Sequence, residues 1–201
     1  MLYFYPNKPM LIHPESDTVR EKSLDPLWWA EIKKNGSRLC LKKSIEESKK
    51  QKSFRNFVFW NRHKQLLKYE PCRDLLDELE SINLPDNTWI DAELLHQKTK
   101  HIKNLIYIFD IYILDGKQLN EPLEVRRKLL EDLFKDNYKH IELAKTYQEN
   151  FVDVFKEVIK KEENEGLVLK CRKGEIVWNL RDCPEVWWQL KIRKPTKNYR
   201  F

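Results

Sequence analysis

Glycine and cysteine are scarce in this sequence. Glycine supplies four of the 201 residues, and no stretch is rich enough in Gly, Ser or Pro to act as a linker between domains. The four cysteines form no C-x-x-C pair, and no histidine stands at a zinc-ligand spacing from them. The sequence therefore predicts one domain over residues 1–201, with buried, unpaired thiols and no structural zinc.

Features of membrane and secreted proteins are also lacking. Charged residues make up 35% of the chain and the mean hydropathy is −0.73, which argues against a membrane protein. The N-terminus does not combine a basic segment, an apolar run and a small-residue cleavage site, so we expect residues 1–5 to form a first strand rather than a signal peptide. A cytoplasmic location follows, or the interior of a host cell if the source is viral, and we expect a monomer.

Positive charge is in excess. The formal net charge is +6 at pH 7 and the sequence pI is near 9.0. One interpretation is a polyanionic partner, either nucleic acid or nucleotide phosphate. The other is an ordinary surface with solvated lysines. Hydrophobic residues at 41% and aromatic residues at 12% are enough to support a packed core.

Apolar periodicity predicts a mixture of strands and helices. The predicted strands are Leu27 to Ala30, Leu39 to Leu41, Phe57 to Trp60, Trp89 to Leu95, Leu105 to Leu114, Leu167 to Leu169 and Trp187 to Ile192. The predicted helices lie around Leu75 to Leu79, Leu123 to Phe134 and Phe151 to Glu163.

The segment from Lys33 to Arg38 stands between the first two of these strands. Asn35-Gly36 is a turn signal, so the plain interpretation is a surface hairpin with a basic tip. The alternative is a reactive amine, because Lys33 lies at a strand end and Arg38 could grip a phosphate. A lysine amine attacks phosphorus only when it is unprotonated, and a nearby cation both lowers its pKa and binds phosphate.

Other strand ends carry residues suited to the same chemistry. Asp91 and Glu93 share one face of a strand because residues two apart point the same way. Glu165 precedes a buried strand, and carboxylates gathered at such ends could hold Mg²⁺ against phosphate oxygens. Lys191 and Arg193 share a face of the last strand. Each has a plainer interpretation when taken alone: edge strands with solvated charges for the two pairs, and a loop acid for Glu165.

The order of these motifs resembles the covalent nucleotidyltransferase superfamily, and most of all the catalytic (adenylation) domain of ATP-dependent DNA ligases. The family's first motif, K-x-D/N-G-x-R, is matched by Lys33 to Arg38, and the preceding Glu31-Ile32 is typical of DNA ligases. The later motifs are similar to Asp91 to Glu93, Phe109-Asp110, Glu165 to Lys170, and Lys191 with Arg193. The resemblance covers nearly the whole chain and implies an α+β fold, in which antiparallel sheets flanked by helices enclose a nucleotide groove.

The resemblance also implies a reaction. Lys33 would attack the α-phosphorus of ATP and carry AMP, which passes to a 5′-phosphate before a 3′-hydroxyl seals the strand. The implied partner is nicked duplex DNA, as in repair and replication, or another 5′-phosphorylated nucleic acid. Arg62 is similar to the family's arginine that grips the 5′-phosphate, although a solvated hairpin arginine explains it too. The nucleotide would be bound by Glu31, Arg38, Glu93, Phe109, Lys191 and Arg193, and Mg²⁺ by Glu93 and Glu165.

Several features depart from the family pattern. Asn35 and Ala92 replace the commoner Asp and Gly, and no tryptophan falls two residues before Lys191. A shifted alignment of the fifth motif would pair Gln189 with Lys191 instead of Lys191 with Arg193. No oligonucleotide-binding barrel follows that motif, which predicts either a catalytic fragment or a minimal enzyme. An RNA ligase, a capping-type guanylyltransferase and an inactive basic nucleic-acid-binding module are the alternative functions, and Phe109 taken alone is best explained as a core residue.

Overall fold

The computed structural model describes residues 4–49 and 52–195, and these residues form eleven strands and five helices. The strands are β1 (Lys8–Leu11), β2 (Trp28–Lys34), β3 (Ser37–Lys43), β4 (Phe57–Trp60), β5 (Thr88–Leu95), β6 (Leu105–Leu114), β7 (Lys117–Gln118), β8 (Ile141–Leu143), β9 (Thr146–Tyr147), β10 (Asn164–Cys171) and β11 (Glu185–Arg193). The helices are α1 (Asp17–Leu24), α2 (Ile45–Ser48), α3 (Arg73–Ser81), α4 (Leu123–Leu133) and α5 (Phe151–Val158). The strand expected over residues 1–5 lies mostly outside the described residues, and residues 4–7 form no strand. No helix in this described part of the chain is long and apolar enough to cross a membrane.

The strands form two sheets. The first sheet has the order β1-β11-β10-β2-β9, and the second has the order β4-β3-β5-β6-β7, with β8 also paired to β6. Pairing is antiparallel except between β1 and β11 and between β6 and β8. The predicted α+β fold, with antiparallel sheets flanked by helices, is confirmed.

Each sheet buries one face under helices and turns the other face toward its partner sheet. In β2, Ala30 joins a core with residues of α1 and α5, whereas Lys33 lies on the opposite face. In β5, Ala92 joins a core with residues of α3 and α4, whereas Glu93 lies on the opposite face. Because side chains alternate along a strand, one row of each strand builds the core and the next row lines the space between the sheets.

The Asn35-Gly36 turn does not close a hairpin, so that interpretation is wrong. Strand β2 pairs with β10 and β9 in the first sheet, and β3 pairs with β4 and β5 in the second. A two-residue Asn-Gly hairpin turn needs positive φ at both positions, and neither Asn35 nor Gly36 is among the described residues with positive φ. The turn is therefore a covalent crossing from one sheet to the other.

A buried ion pair connects the two sheets. Arg126 of α4 donates from Nε and Nη2 to the two carboxylate oxygens of Asp110 at 2.8 and 2.9 Å. Its Nη1 donates to the carbonyls of Glu121 and Gly174 at 2.6 and 3.1 Å. The guanidinium also lies 5.5 Å from the ring centroid of Trp188 in β11. Because Asp110 belongs to β6, this one side chain contacts both sheets.

We expect Arg126→Met to destabilise the fold strongly, because it leaves the Asp110 carboxylate buried without its cation. Breaking one side of such a pair costs about 3–5 kcal/mol of unfolding free energy, which urea denaturation measures. Arg20→Ala is the matched control, since the pair between Arg20 and Asp17 is exposed and is expected to matter by less than about 0.5 kcal/mol. Equal small losses in both variants would contradict this role of Arg126.

Candidate active site

A groove of about 590 Å³ lies between the two sheets and is strongly cationic. Seven cationic and two acidic side chains line it. The cations are Lys8, Lys33, Arg38, Arg62, Lys98, Lys191 and Arg193, and the acids are Glu93 and Glu165. A cleft lined by one sign of charge concentrates ligands of the opposite sign, so this groove is suited to a polyanion.

Lys33 is held in an ion pair at the centre of the groove. Its Nζ lies 2.5 Å from Glu165 Oε2, and Arg193 Nη2 lies 3.1 Å from the same oxygen. Gly166 pairs with Lys33 on one side and with Arg193 on the other, so the three charged groups lie across three neighbouring strands. One carboxylate thus balances two cations.

Gly36 is required by the close approach of its neighbours. Its N–H donates to Glu93 Oε1 at 3.1 Å, and its carbonyl accepts a hydrogen bond from Lys98 Nζ. A Cβ atom at this position would lie 2.6 Å from both Glu93 Cγ and the carbonyl oxygen of Leu94. The crossing between the sheets is therefore held by hydrogen bonds to both backbone groups of one residue, and no side chain fits there.

Arg38 is oriented by a buried carboxylate. Its Nε and Nη2 donate to both oxygens of Asp91, and Nη2 also donates to the Asn7 carbonyl at 3.1 Å. Burial raises the pKa of Asp91, and the guanidinium of Arg38 opposes that shift. The Cζ atom of this guanidinium lies 4.7 Å from the ring centroid of Phe109, so hydrogen bonds and a ring contact together orient the group.

A smaller cavity of about 60 Å³ adjoins the groove, and its lining includes Glu31, Phe109 and Lys170. Lys170 Nζ lies 2.7 Å from Glu31 Oε2, donates to the Phe109 carbonyl at 3.1 Å and lies 5.0 Å from the Phe109 ring centroid. Trp29 Nε1 donates to Glu31 Oε1 at 3.0 Å. Phe109 is partly buried, packs against a core cluster that includes Tyr107 and also reaches the cavity wall.

Three cations of the groove, namely Lys98, Lys191 and Arg62, form no ion pair with any residue in the described part of the chain. Lys191 has no carboxylate within 4.0 Å, and its pKa is lowered by burial first and by the charge of Lys33 second. Arg62 is exposed and donates from Nε to His63 Nε2 at 3.1 Å. Lys98 donates to the Gly36 carbonyl, so Lys191 and Arg62 are the two side chains best placed for an incoming anion to neutralise.

The plainer interpretations of the charged strands are wrong. Strand β5, with Asp91 and Glu93, lies between β3 and β6, and β11, with Lys191 and Arg193, lies between β1 and β10, so neither is an edge strand. Glu165 belongs to β10 and is not a loop residue. For the fifth motif, Lys191 and Arg193 line the groove and Gln189 lines the smaller cavity.

Sequence reasoning missed two cations of this region. Lys170 is the charged last residue of the apolar run Leu167 to Lys170, and a charge inside a buried strand is a signal that could have identified it. Lys98 lies in the segment after β5 and carries no such signal, because its neighbours are all polar. Its contact with the carbonyl of Gly36 depends on a tertiary approach.

Two carboxylates of the groove suit a divalent cation. Burial raises the pKa of Glu93, the charges of Lys33, Arg38 and Lys98 oppose this, and Glu165 adds to it. No group of three or more His, Cys, Asp or Glu residues in ranges 4–49 and 52–195 could hold a metal ion by itself. Mg²⁺ commonly takes one or two protein carboxylates and completes its shell with phosphate oxygens and water, so the donors fit a magnesium ion bound together with a polyphosphate.

The family model described as "ATP dependent DNA ligase domain" matches residues 49–191, which is more than half of the chain. The chain belongs to the ATP-dependent DNA ligase domain family. The matched span of this ligase domain contains Glu93, Glu165 and Lys191, whereas the segment with Lys33 precedes it. Comparison with curated proteins gives no match.

Solved ligase structures share the fold of this ligase domain. A mycobacterial DNA ligase D complexed with ATP and MES aligns with a TM-score of 0.66 and 17% identity over 94% of this chain and 60% of that one. The adenylated Chlorella virus DNA ligase aligns with a TM-score of 0.55 and 12% identity, over 94% of this chain and 69% of that one. An archaeal ATP-dependent RNA ligase aligns with a TM-score of 0.53 and 12% identity, over 94% of this chain and 48% of that one. The present chain spans about 60% of the length of the ligase D structures that it matches.

We expect the Lys191 amine to titrate below the ordinary lysine value of 10.5, and Lys33→Met to raise its pKa by removing a like charge. The measurement is ¹³C NMR of reductively methylated protein across alkaline pH, with the Lys191 signal assigned by Lys191→Arg. Lys117→Met, at the edge of the second sheet away from the groove, is the control and should leave that titration unchanged. An identical Lys191 titration in Lys33→Met would disprove the coupling.

Proposed function

We propose that this chain is the adenylating part of an ATP-dependent DNA ligase that seals 5′-phosphorylated nicks through a lysyl-AMP intermediate. The observation that carries the proposal is one groove that combines the Lys33 amine, two carboxylates, and the cations Lys191 and Arg62, which form no ion pair with the described residues. Family membership supports the reaction class. A basic module without catalysis has no need for an amine held beside carboxylates in a groove.

Lys33 is the nucleophile in this proposal. Its amine attacks the α-phosphorus of ATP, a P–N bond forms, and the bond to the departing pyrophosphate breaks. The amine must lose its proton, and Glu165 is the nearest acceptor at 2.5 Å. Arg38, Lys191 and Arg193 stabilise the phosphate oxygens as charge shifts among them.

Glu31 and Phe109 support binding of the adenine base. Phe109 offers a ring at the cavity wall, and Glu31 places an acceptor-only carboxylate beside it. A carboxylate accepts hydrogen bonds from the 6-amino group of adenine but not from the 6-oxo group of guanine. We assign ATP rather than GTP as the nucleotide because the matching family is that of ATP-dependent ligases and because a carboxylate that faces position 6 of the purine favours adenine, which argues against a capping-type guanylyltransferase.

Glu93 and Glu165 would hold Mg²⁺. The ion neutralises charge on the phosphates when it is bound. Glu93 belongs to β5 of the second sheet and Glu165 to β10 of the first, and both line the groove.

Arg62 supports the choice of a 5′-phosphorylated strand as the acceptor of AMP. It lines the same groove as Lys33 and forms no ion pair with the described residues, so its guanidinium is available to a terminal phosphate. Arginine binds phosphate bidentately, which fixes orientation as well as charge. We place DNA ahead of RNA as the substrate because the matching family model is that of DNA ligases.

The test of the proposal is intact-mass spectrometry after incubation with ATP and Mg²⁺. We expect a gain of one AMP in the wild-type chain and in Lys34→Met, and no gain in Lys33→Ala. GTP should label the wild type far less than ATP, and EDTA should prevent labelling. Lys34 is the matched control because it is the next residue on the strand and contacts Tyr107 instead of Glu165. An adduct on Lys33→Ala would remove Lys33 from its role.

A second prediction separates adenylation from strand joining. Arg62→Ala should accept AMP at a near-normal rate but seal nicks slowly, because losing one charged hydrogen-bond partner costs roughly 1.5–3 kcal/mol. Single-turnover sealing by pre-adenylated protein, beside the ATP-labelling rate of the same variant, makes the comparison. Arg62→Lys should restore only part of the activity, since lysine supplies charge without the fork. Equal loss in both assays would place Arg62 in the nucleotide site or in the fold.

A further inference from the structure

The turn that carries Arg62 is shaped by its own hydrogen bonds. It follows β4 and runs from Asn61 to Gln65, where the Asn61 N–H donates to the Gln65 carbonyl at 2.8 Å. The side-chain oxygen of Asn61 accepts from the N–H groups of His63 and Gln65 at 2.8 and 3.1 Å. These local bonds set the form of the turn, but they do not set its direction relative to the groove.

Contacts from Lys64 tie this turn to the opposite side of the groove. Lys64 Nζ donates to the Leu180 carbonyl at 2.9 Å and lies 4.5 Å from the ring centroid of Tyr5. Tyr5 is itself fastened to the same loop, because its N–H donates to the Asn179 carbonyl at 2.9 Å. Lys64 therefore reaches from the second sheet to the loop that precedes β11 of the first sheet.

A further contact reinforces this connection. The Cys183 thiol donates to the carbonyl of Arg62 itself at 3.5 Å. The loop with Leu180 and Cys183 leads directly into β11, the strand that carries Lys191. The backbone at Arg62 is thus held by a hydrogen bond to the loop that leads into β11, the strand of Lys191.

The backbone at Lys64 also favours a side-chain role. Its φ is 60°, in the left-handed region that few residues other than glycine and asparagine adopt readily. Glycine would adopt this conformation without steric strain, but it has no side chain to reach the Leu180 carbonyl. The side-chain contacts are what a lysine adds at this position.

We propose that Lys64 is a positioning residue for terminal-phosphate recognition, acting by holding the turn so that the Arg62 guanidinium faces the groove. This inference rests on the function proposed above for Arg62. Pre-organisation of a binding group lowers the entropy cost of engaging its ligand. Without the Lys64 contacts the exposed turn samples other directions, and Arg62 meets the phosphate less often.

The experiment compares binding of a nicked duplex with a 5′-phosphate against the same duplex with a 5′-hydroxyl, in the absence of ATP. The wild type should prefer the phosphorylated nick. We expect Lys64→Met to lose about 3- to 10-fold of that preference, and a similar factor in single-turnover sealing, while attachment of AMP to Lys33 changes less than about twofold. Lys64→Arg should recover most of the preference, because it retains a donor of similar reach.

Lys68→Met is the matched control, since Lys68 is exposed, lies four residues further along and does not line the groove. It should keep the wild-type preference. The double variant Arg62→Ala with Lys64→Met should be no worse than Arg62→Ala alone, because Lys64 acts only through Arg62.

The outcomes distinguish the two proposals. If Arg62→Ala keeps the preference for the 5′-phosphate, the role of Arg62 itself is wrong. If Arg62→Ala loses the preference and Lys64→Met keeps it, the positioning role is wrong while the role of Arg62 stands. If Lys64→Met slows AMP attachment as much as sealing, Lys64 serves the fold and the inference is overturned.

Discussion

Repulsion among like charges in the groove is the constraint on which the rest of the structure depends. Several cations share a partly buried space, where Coulomb energies exceed those in bulk water. Neighbouring strands offset this with acids placed for particular partners: Asp91 binds Arg38, and Glu165 is shared by Lys33 and Arg193. The balance is incomplete within the described residues, because the groove keeps more cations than acids. A polyphosphate completes that balance, so ligand binding and the order of the site are linked.

Much of the fold follows from apolar patterns that can be counted along the chain. The long strands β5 and β6 have strong alternation and β-branched residues, and α4 has clear helical spacing, so local signals agree with tertiary packing there. The crossing at Asn35-Gly36 has the same local signal as a hairpin. Whether this segment forms a hairpin or crosses between sheets depends on the pairing of β2 with β10, a strand far away in sequence. Spacing along the chain carries no information about such partners.

For the site, the sequence predicts which residues take part but not which charges pair with each other. The resemblance to ligases selected residues that the fold brings to the groove or to the smaller cavity beside it. The pairing of charges could not be read from sequence. Asp91 and Glu93 share a face, as expected, but Asp91 is occupied by Arg38 whereas Glu93 contacts the Gly36 backbone. The choice depends on register, and β5 meets β6 with an irregularity beside Asp91. Lys98 and Lys64 depend on tertiary approaches between loops.

The crossing between the sheets has a mechanical consequence. Lys33 and Arg38 stand on either side of it, so a tilt of one sheet against the other turns about a point between them. Five peptide units limit their Cα separation to roughly 17–18 Å even when fully extended, and the bonds at Gly36 keep the segment far from that limit. The outer rim, where Arg62 faces β11, has no such short covalent link. A wider opening at that rim would break the contacts of Lys64 with Leu180 and Tyr5, whereas the crossing would hold the amine and its neighbouring arginine at their spacing.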